Sequence, residues 1–143
     1  MKIKSVIHII IVIGVIFLIS SCKEKLITWN VNCDECYDTE YDSVDLNVSV
    51  TINDKYLSVP LILYRGDVEE NQVDWVDTAN GTEYYVSVAV GQQYSIKLEY
   101  TYDSDTIYVI DGTKIKMKRV SDQCDAECWV IENDKIDGRL KYK

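Results

Sequence analysis

Val44-Asp45-Leu46-Asn47-Val48-Ser49-Val50-Thr51-Ile52 alternates apolar and polar residues without a break. A pleated strand points successive side chains to opposite faces, so this pattern predicts a strand with one buried and one wetted side. The neighbouring segments repeat the theme. Asn53-Asp54-Lys55 reads as a turn. Residues 56–64 then place Leu57, Val59, Leu61 and Leu63 on one face. Pro60 cannot donate a ladder hydrogen bond, which predicts an edge strand or a bulge there. Arg65-Gly66-Asp67 turns the chain again, and Val73, Trp75 and Val76 mark a short strand.

Beyond the turn Ala79-Asn80-Gly81-Thr82, the residues Tyr84, Val86, Val88 and Val90 share a face. Tyr94, Ile96, Leu98 and Tyr100 share another, opposite Ser95, Lys97, Glu99 and Thr101. Asp103-Ser104-Asp105 leads into a strand over 106–110, and Asp111-Gly112 predicts a two-residue hairpin turn. Ile115 and Met117 alternate with Lys114, Lys116 and Lys118, and Trp129-Val130-Ile131, Ile136 and Leu140 close the apolar pattern. After residue 22 no segment sustains a 3.6-residue apolar period. Seven to nine short strands rich in Val, Ile, Thr and Tyr predict an all-β, immunoglobulin-like antiparallel β-sandwich. Gly81-Thr82-Glu83-Tyr84-Tyr85-Val86-Ser87-Val88 is similar to a strand of a fibronectin type III domain.

Residues 1–22, MKIKSVIHIIIVIGVIFLISSC, have a different character. Lys2 and Lys4 form a basic tip, residues 6–19 an apolar run, and Ser20-Ser21 sit before Cys22. The run fits a secretory signal and is short of the ~20 residues of a spanning helix. This order resembles a bacterial lipoprotein signal with its lipobox. The resemblance implies cleavage after residue 21, a diacylglyceryl group on the Cys22 sulfur and an acyl chain on its amine. Each buried methylene contributes about 0.8 kcal/mol, and one chain alone binds a bilayer only marginally, whereas two or three hold firmly. The expected layout is a signal peptide over 1–21, a lipidated and cysteine-containing lead-in over 22–43, and the sandwich over 44–143. The expected address is the cell outer membrane, periplasmic or surface-exposed.

The chain carries 24 acidic and 15 basic residues, a net charge of −9. Loss of Lys2 and Lys4 with the signal takes this to −11. A charge this negative argues against nucleic acid as a partner, since its binding needs a basic footprint. The single histidine, His8, leaves with the signal. The mature chain therefore lacks the base of a Ser-His-Asp or Cys-His site and the ligands of common catalytic zinc centres. It has no Gly-rich phosphate loop and no G-x-S-x-G elbow. Paired carboxylates remain as a route to glycoside hydrolysis, and Asp103-Ser104-Asp105 or Asp74 with Asp77 as a calcium site, against ordinary acidic turns. The expectation is a protein that is not an enzyme, with no catalytic residue, resident metal or cofactor.

Cys33, Cys36, Cys124 and Cys128 remain after Cys22. In an exported chain they are disulfide candidates, with three possible pairings. Local closure would stiffen two loops, and crossed pairing would staple the start of the domain to its end. A zinc site held by all four thiolates fits the spacing, and a thioredoxin-like role lacks its βαβ context. Among the aromatics, Tyr84, Tyr94 and Tyr100 are expected in the core. Tyr85, Tyr102, Tyr108 and Trp75 are less constrained. They could form a sugar- or peptide-binding surface if exposed together, or cross-strand pairs that stabilise the sheet.

Cys33-Asp34-Glu35-Cys36-Tyr37, the run 59–66 (VPLILYRG), Tyr94-Ser95, Val109-Ile110-Asp111-Gly112, Cys124-Asp125-Ala126-Glu127-Cys128 and the Lys141-Tyr142 ending carry a wider resemblance. Together they resemble an uncharacterised family of small Bacteroidetes lipoproteins, which implies the fold and the location and no activity. The expected function is a lipid-anchored binding or scaffold module, held at the membrane through Cys22, with a protein or glycan ligand. The alternatives are a fimbria-like structural subunit of a surface assembly and a small carboxylate enzyme.

Overall fold

The computed structural model describes residues 31–141 except Asp122. The expected signal peptide over residues 1–21, Cys22 and Tyr142 lie outside the described residues. Nine strands follow in order: β1 (Ser43–Ser49), β2 (Val59–Arg65), β3 (Val73–Ala79), β4 (Glu83–Ala89), β5 (Gln93–Tyr102), β6 (Asp105–Lys114), β7 (Lys116–Val120), β8 (Cys128–Glu132) and β9 (Lys135–Asp137). Two single 3-10 turns complete the regular structure among the described residues. A three-stranded sheet, β4-β1-β9, faces a four-stranded sheet, β3-β2-β5-β6, and β7-β8 is a separate hairpin.

The alternation over 44–52 explains where the core sits. Val44, Leu46, Val48 and Val50 point inward and meet Leu61 and Leu63 of β2 and Ile96 and Leu98 of β5, all buried. Full burial of each such side chain contributes about 1.5–3 kcal/mol. The all-β sandwich expected from the pattern is the fold observed. Its strand order is fibronectin III-like, with one substitution: the edge beside β1 is taken by the C-terminal β9. That strand runs parallel to β1, pairing Val48 with Ile136, whereas every other pair of strands is antiparallel. Asn133 makes this possible. It adopts a left-handed backbone (φ 63°) after β8 and donates from Nδ2 to the Lys114 carbonyl. The next carbonyl, of Asp134, accepts from the Asn47 N–H at 2.8 Å and starts the parallel pair.

Two tyrosine hydroxyls lock the corners. Tyr94, at the start of β5, accepts from the Ala89 N–H at 3.1 Å, across the turn from β4. A tyrosine bonding back to upstream backbone at this corner is a feature of immunoglobulin-like sandwiches. Tyr100 donates to the Gly138 carbonyl at 2.7 Å and accepts from the Thr51 N–H at 3.0 Å, tying β5 to the end of β9. Burial is the main cause that raises the Tyr100 pKa, so the hydroxyl keeps its proton for this bond.

Three local expectations are corrected. β2 is a central strand, between β3 and β5, and Pro60 is not on a sheet edge. The ladder to β5 begins one residue later, at Leu61, so the missing N–H interrupts nothing there. The irregularity in register falls between Leu63 and Tyr64 instead. Leu57 is 74% exposed and precedes the strand, because the 53–56 turn holds the chain outside the sheet. Asp111-Gly112 makes no hairpin turn. Both residues pair within β6, opposite Ile96 and Ser95. A Cβ on Gly112 would stand 2.9 Å from the Tyr94 carbonyl oxygen, so the glycine serves a close strand approach.

Candidate functional site: a tyrosine-walled cleft

The four cysteines pair crosswise, Cys33 with Cys124 and Cys36 with Cys128, with Cα atoms 5.7 and 5.6 Å apart. The sulfurs of Cys36, Cys124 and Cys128 lie close enough to hold a metal together, yet each is committed to a disulfide. A zinc site would need those thiolates free. The bridges bind the lead-in to the β7-β8 hairpin. Tyr37 extends this attachment by exchanging two 2.8 Å backbone hydrogen bonds with Trp129 of β8. The chain then runs past Met117, whose sulfur accepts from the Tyr41 N–H, and enters β1.

This route lays two tyrosines over the wetted side of the three-stranded sheet. The outward row of β1 is Asp45, Asn47 and Ser49, paired in register with Ser87, Tyr85 and Glu83 of β4. Tyr37, Tyr41 and Tyr85 rise around that floor and enclose a cleft of about 470 Å3, with Asp45, Asn47 and Asp134 also contributing to its lining. Cavities of this size are typical for small ligands. The rings of Tyr37 and Tyr41 meet edge to face, with centroids 5.4 Å apart. Tyr85 is 60% exposed, and its hydroxyl accepts a long bond, 3.3 Å, from Asn47 Nδ2. Asn47 Oδ1 is shielded from water with no partner, the one such side-chain atom among the described residues. A buried acceptor left unpaired costs about 1–3 kcal/mol relative to a bonded one.

The exposed aromatics singled out by sequence are not brought together. Only Tyr85 reaches the cleft. Tyr102 packs on Tyr56, near Lys55, and Tyr108 lies under Lys97 Nζ at 4.3 Å. Trp75 sits on the far side of β4, where its indole N–H donates to Tyr84 Oη at 3.1 Å. Tyr84 in turn donates to Asp77 at 2.9 Å. This chain clasps the open edge between β3 and β4. The Thr78 N–H, then the Tyr84 hydroxyl, lower the Asp77 pKa, while burial and the Asp77 bond raise that of Tyr84. Asp74 pairs separately with Arg65 at 2.6 Å, so the two carboxylates are engaged by different partners. Asp103 takes a left-handed backbone (φ 56°) in the β5-β6 turn, an ordinary acidic hairpin.

Tyr37, Tyr41 and Asp134 were not singled out by sequence reasoning as a site. Their usable signal was the close spacing of two tyrosines in the disulfide-bearing lead-in. A second groove, of about 410 Å3, runs between β6 and the C-terminal segment, lined by Ile107, Val109 and Leu140 with Asp137 and Arg139. Here β6 is an edge strand of its sheet.

Comparison with protein-family models, with curated proteins and with solved structures gives no match for this chain. Among the described residues no helix is long and apolar enough to cross a membrane.

Proposed function

We propose that this protein is a lipid-anchored binding module of the cell envelope, held at the outer membrane through acyl chains on Cys22 and engaging a protein or glycan ligand. The tether is supported by the order basic tip, apolar run, small residues and cysteine over 1–22. The binding role is carried by one observation: the cleft of Tyr37, Tyr41 and Tyr85 over a polar strand face, where an amide oxygen lacks a donor. A surface built only for solubility has no use for three tyrosines lining one cleft whose floor holds an unpaired acceptor. The reading is non-enzymatic, since the mature chain has no histidine, and the carboxylates of Asp74 and Asp77 are engaged by Arg65 and Tyr84. Mass spectrometry of the N-terminal peptide tests the anchor. A triacylated Cys22 is expected, and Cys22→Ala should release the protein from membranes. An intact residue 1–21 segment in the mature protein refutes it.

A second reading, a structural subunit that accepts a neighbour's strand, is favoured by the ten-residue edge strand β6 beside its apolar groove. Ordered polymers in purified native material would support that reading, and a stable monomer would remove it.

A further inference from the structure

We infer that the cleft between Tyr37, Tyr41 and Tyr85 is a binding site for neutral saccharides. The inference rests on the binding-module reading and specifies its ligand class. Three features of the site select the chemistry. First, the floor offers little free backbone: β4 pairs with β1 along its length and β9 from Asn47 to Ser49, which leaves one side of a four-residue stretch, 43–46, without a ladder. β1 is flanked by β4 on one side and β9 on the other, so its N–H and C=O groups are engaged in ladders where those strands lie beside it. An extended peptide, which gains its affinity by adding to a free edge, has little to pair with there. Second, the recognition groups are short side chains and rings. Tyrosine faces suit the apolar C–H face of a sugar ring, and the rings are rigid, with few torsions to freeze. Asn47, Asp45 and Asp134 form the polar complement, rich in acceptors. A saccharide brings a dense array of hydroxyl donors. Third, the charge is wrong for anions. Two carboxylates face one ammonium, Lys135, in the lining, on a chain that is already strongly acidic. Phosphate, uronate and sialate would be repelled.

Asn47 and Tyr85 supply the mechanism of entry. The Tyr85 ring is mostly exposed and held at its tip by a single long bond. Rotation of Tyr85 breaks that bond, frees Asn47 Nδ2 and lets the amide turn its unpaired carbonyl oxygen toward a sugar hydroxyl. The ring stays beside the cleft as a stacking wall. Bound ligand therefore satisfies a group that the free protein leaves unsatisfied, which is a direct source of affinity.

The test is the detergent-solubilised full chain on an array of neutral, amino and acidic oligosaccharides, with a lysine-rich peptide as a second probe. Binding confined to neutral glycans is expected. Tyr85→Ala and Tyr41→Ala should each weaken it about tenfold or more, the scale of an aromatic anchor. Tyr108→Ala, on an exposed face away from the cleft, should leave it unchanged. Thermal melting of each variant separates lost binding from lost folding. Binding of acidic glycans or of the lysine-rich peptide, with loss on Tyr85→Ala, overturns the saccharide assignment and leaves the binding module standing. No binding of any probe by a folded protein overturns both.

Discussion

Replacing the cysteines in pairs, Cys33 and Cys124 to Ser or Cys36 and Cys128 to Ser, should reveal strong non-additivity. Taken alone, each bridge spans about 90 residues, with separations of 91 and 92. Loop entropy assigns a loop of that size about 4.7 kcal/mol. The two bridges are neighbours, however. Once one is closed, the other closes only the small ring running from Cys33 to Cys36 and from Cys124 to Cys128. A ring of about nine residues gives about 2.5 kcal/mol in the same treatment. Removing either bridge should therefore lower stability by about 2.5 kcal/mol, and removing both by about 7 kcal/mol. The sum exceeds two single losses because the last bridge removed is the one that closes the long loop. A loss of about 7 kcal/mol approaches the whole stability of an ordinary domain, about 5–15 kcal/mol. Urea unfolding followed by circular dichroism reads all three values, and thiol labelling before denaturation confirms that the remaining pair is oxidised. Local pairing would behave differently. Loops of about four and five residues would each contribute about 2 kcal/mol, additively. The Cys33/Cys124 variant would then expose two reactive thiols. Additive losses totalling about 4 kcal/mol, with such thiols, would refute the crossed connectivity.

Further expectations concern the join between β5 and the C-terminal segment. Gly138→Ala places a methyl into Leu98 and 3.1 Å from the Ser49 carbonyl oxygen. It should lower stability by about 1–3 kcal/mol in denaturant titration, and a neutral effect would mean that the 137–139 segment is not packed on β5. Tyr100→Phe keeps the ring and deletes the hydroxyl between Thr51 and Gly138. The stranded groups should cost about 1–3 kcal/mol, with little change in the denaturant slope. At acid pH, Asp137 is held at a pKa of about 2, below its ordinary 3.8, chiefly by the Arg139 hydrogen bonds. Its folded pKa is depressed, so the ion pair stabilises fully above pH ~4 and is lost as pH falls toward ~2. Both partners are substantially exposed, so solvent screening keeps the effect small. Asp137→Asn should flatten the stability curve over that window.

The sandwich was legible because burial on one face of a strand writes itself into sequence with a period of two. The runs 44–50 and 94–100 show it without ambiguity, and their inward residues are the core observed. What pattern could not show was partnership. Pro60 reads as an edge because it lacks a donor, but whether a neighbouring ladder wants that donor depends on a register set by long-range packing. Asp111-Gly112 has the composition of a turn, yet Gly112 is small for the sake of the strand crossing Ser95. The parallel placement of β9 follows from a left-handed Asn133 that local propensity does not demand. The same limit hid the cleft. Tyr85 and Asn47 lie 38 residues apart and become neighbours only through the β1-β4 register. Tyr37 and Tyr41 join them only because the crossed disulfides carry the lead-in across the β8 strand.

That last dependence links stability, site and anchor. Two walls of the cleft, Tyr37 and Tyr41, belong to a segment with little regular structure of its own, and the third, Tyr85, belongs to the sheet. Such a segment would ordinarily sample many conformations, and each would have to be forfeited on binding. The bridges at Cys33 and Cys36, followed by the Tyr37–Trp129 pair, remove that freedom before any ligand arrives. The stapled stretch is also where the proposed tether would pull. Cys33 lies eleven residues after Cys22, so a fully extended leader could lift it no more than about 36–40 Å from lipid on Cys22. Any strain on that short leader would reach the bridges first and would leave the tyrosines beyond them in place. A protein that loses only the Cys33–Cys124 bridge, at about 2.5 kcal/mol, should therefore loosen the lead-in and the cleft while the sandwich stands, because the core of β1, β2 and β5 contains none of the four cysteines.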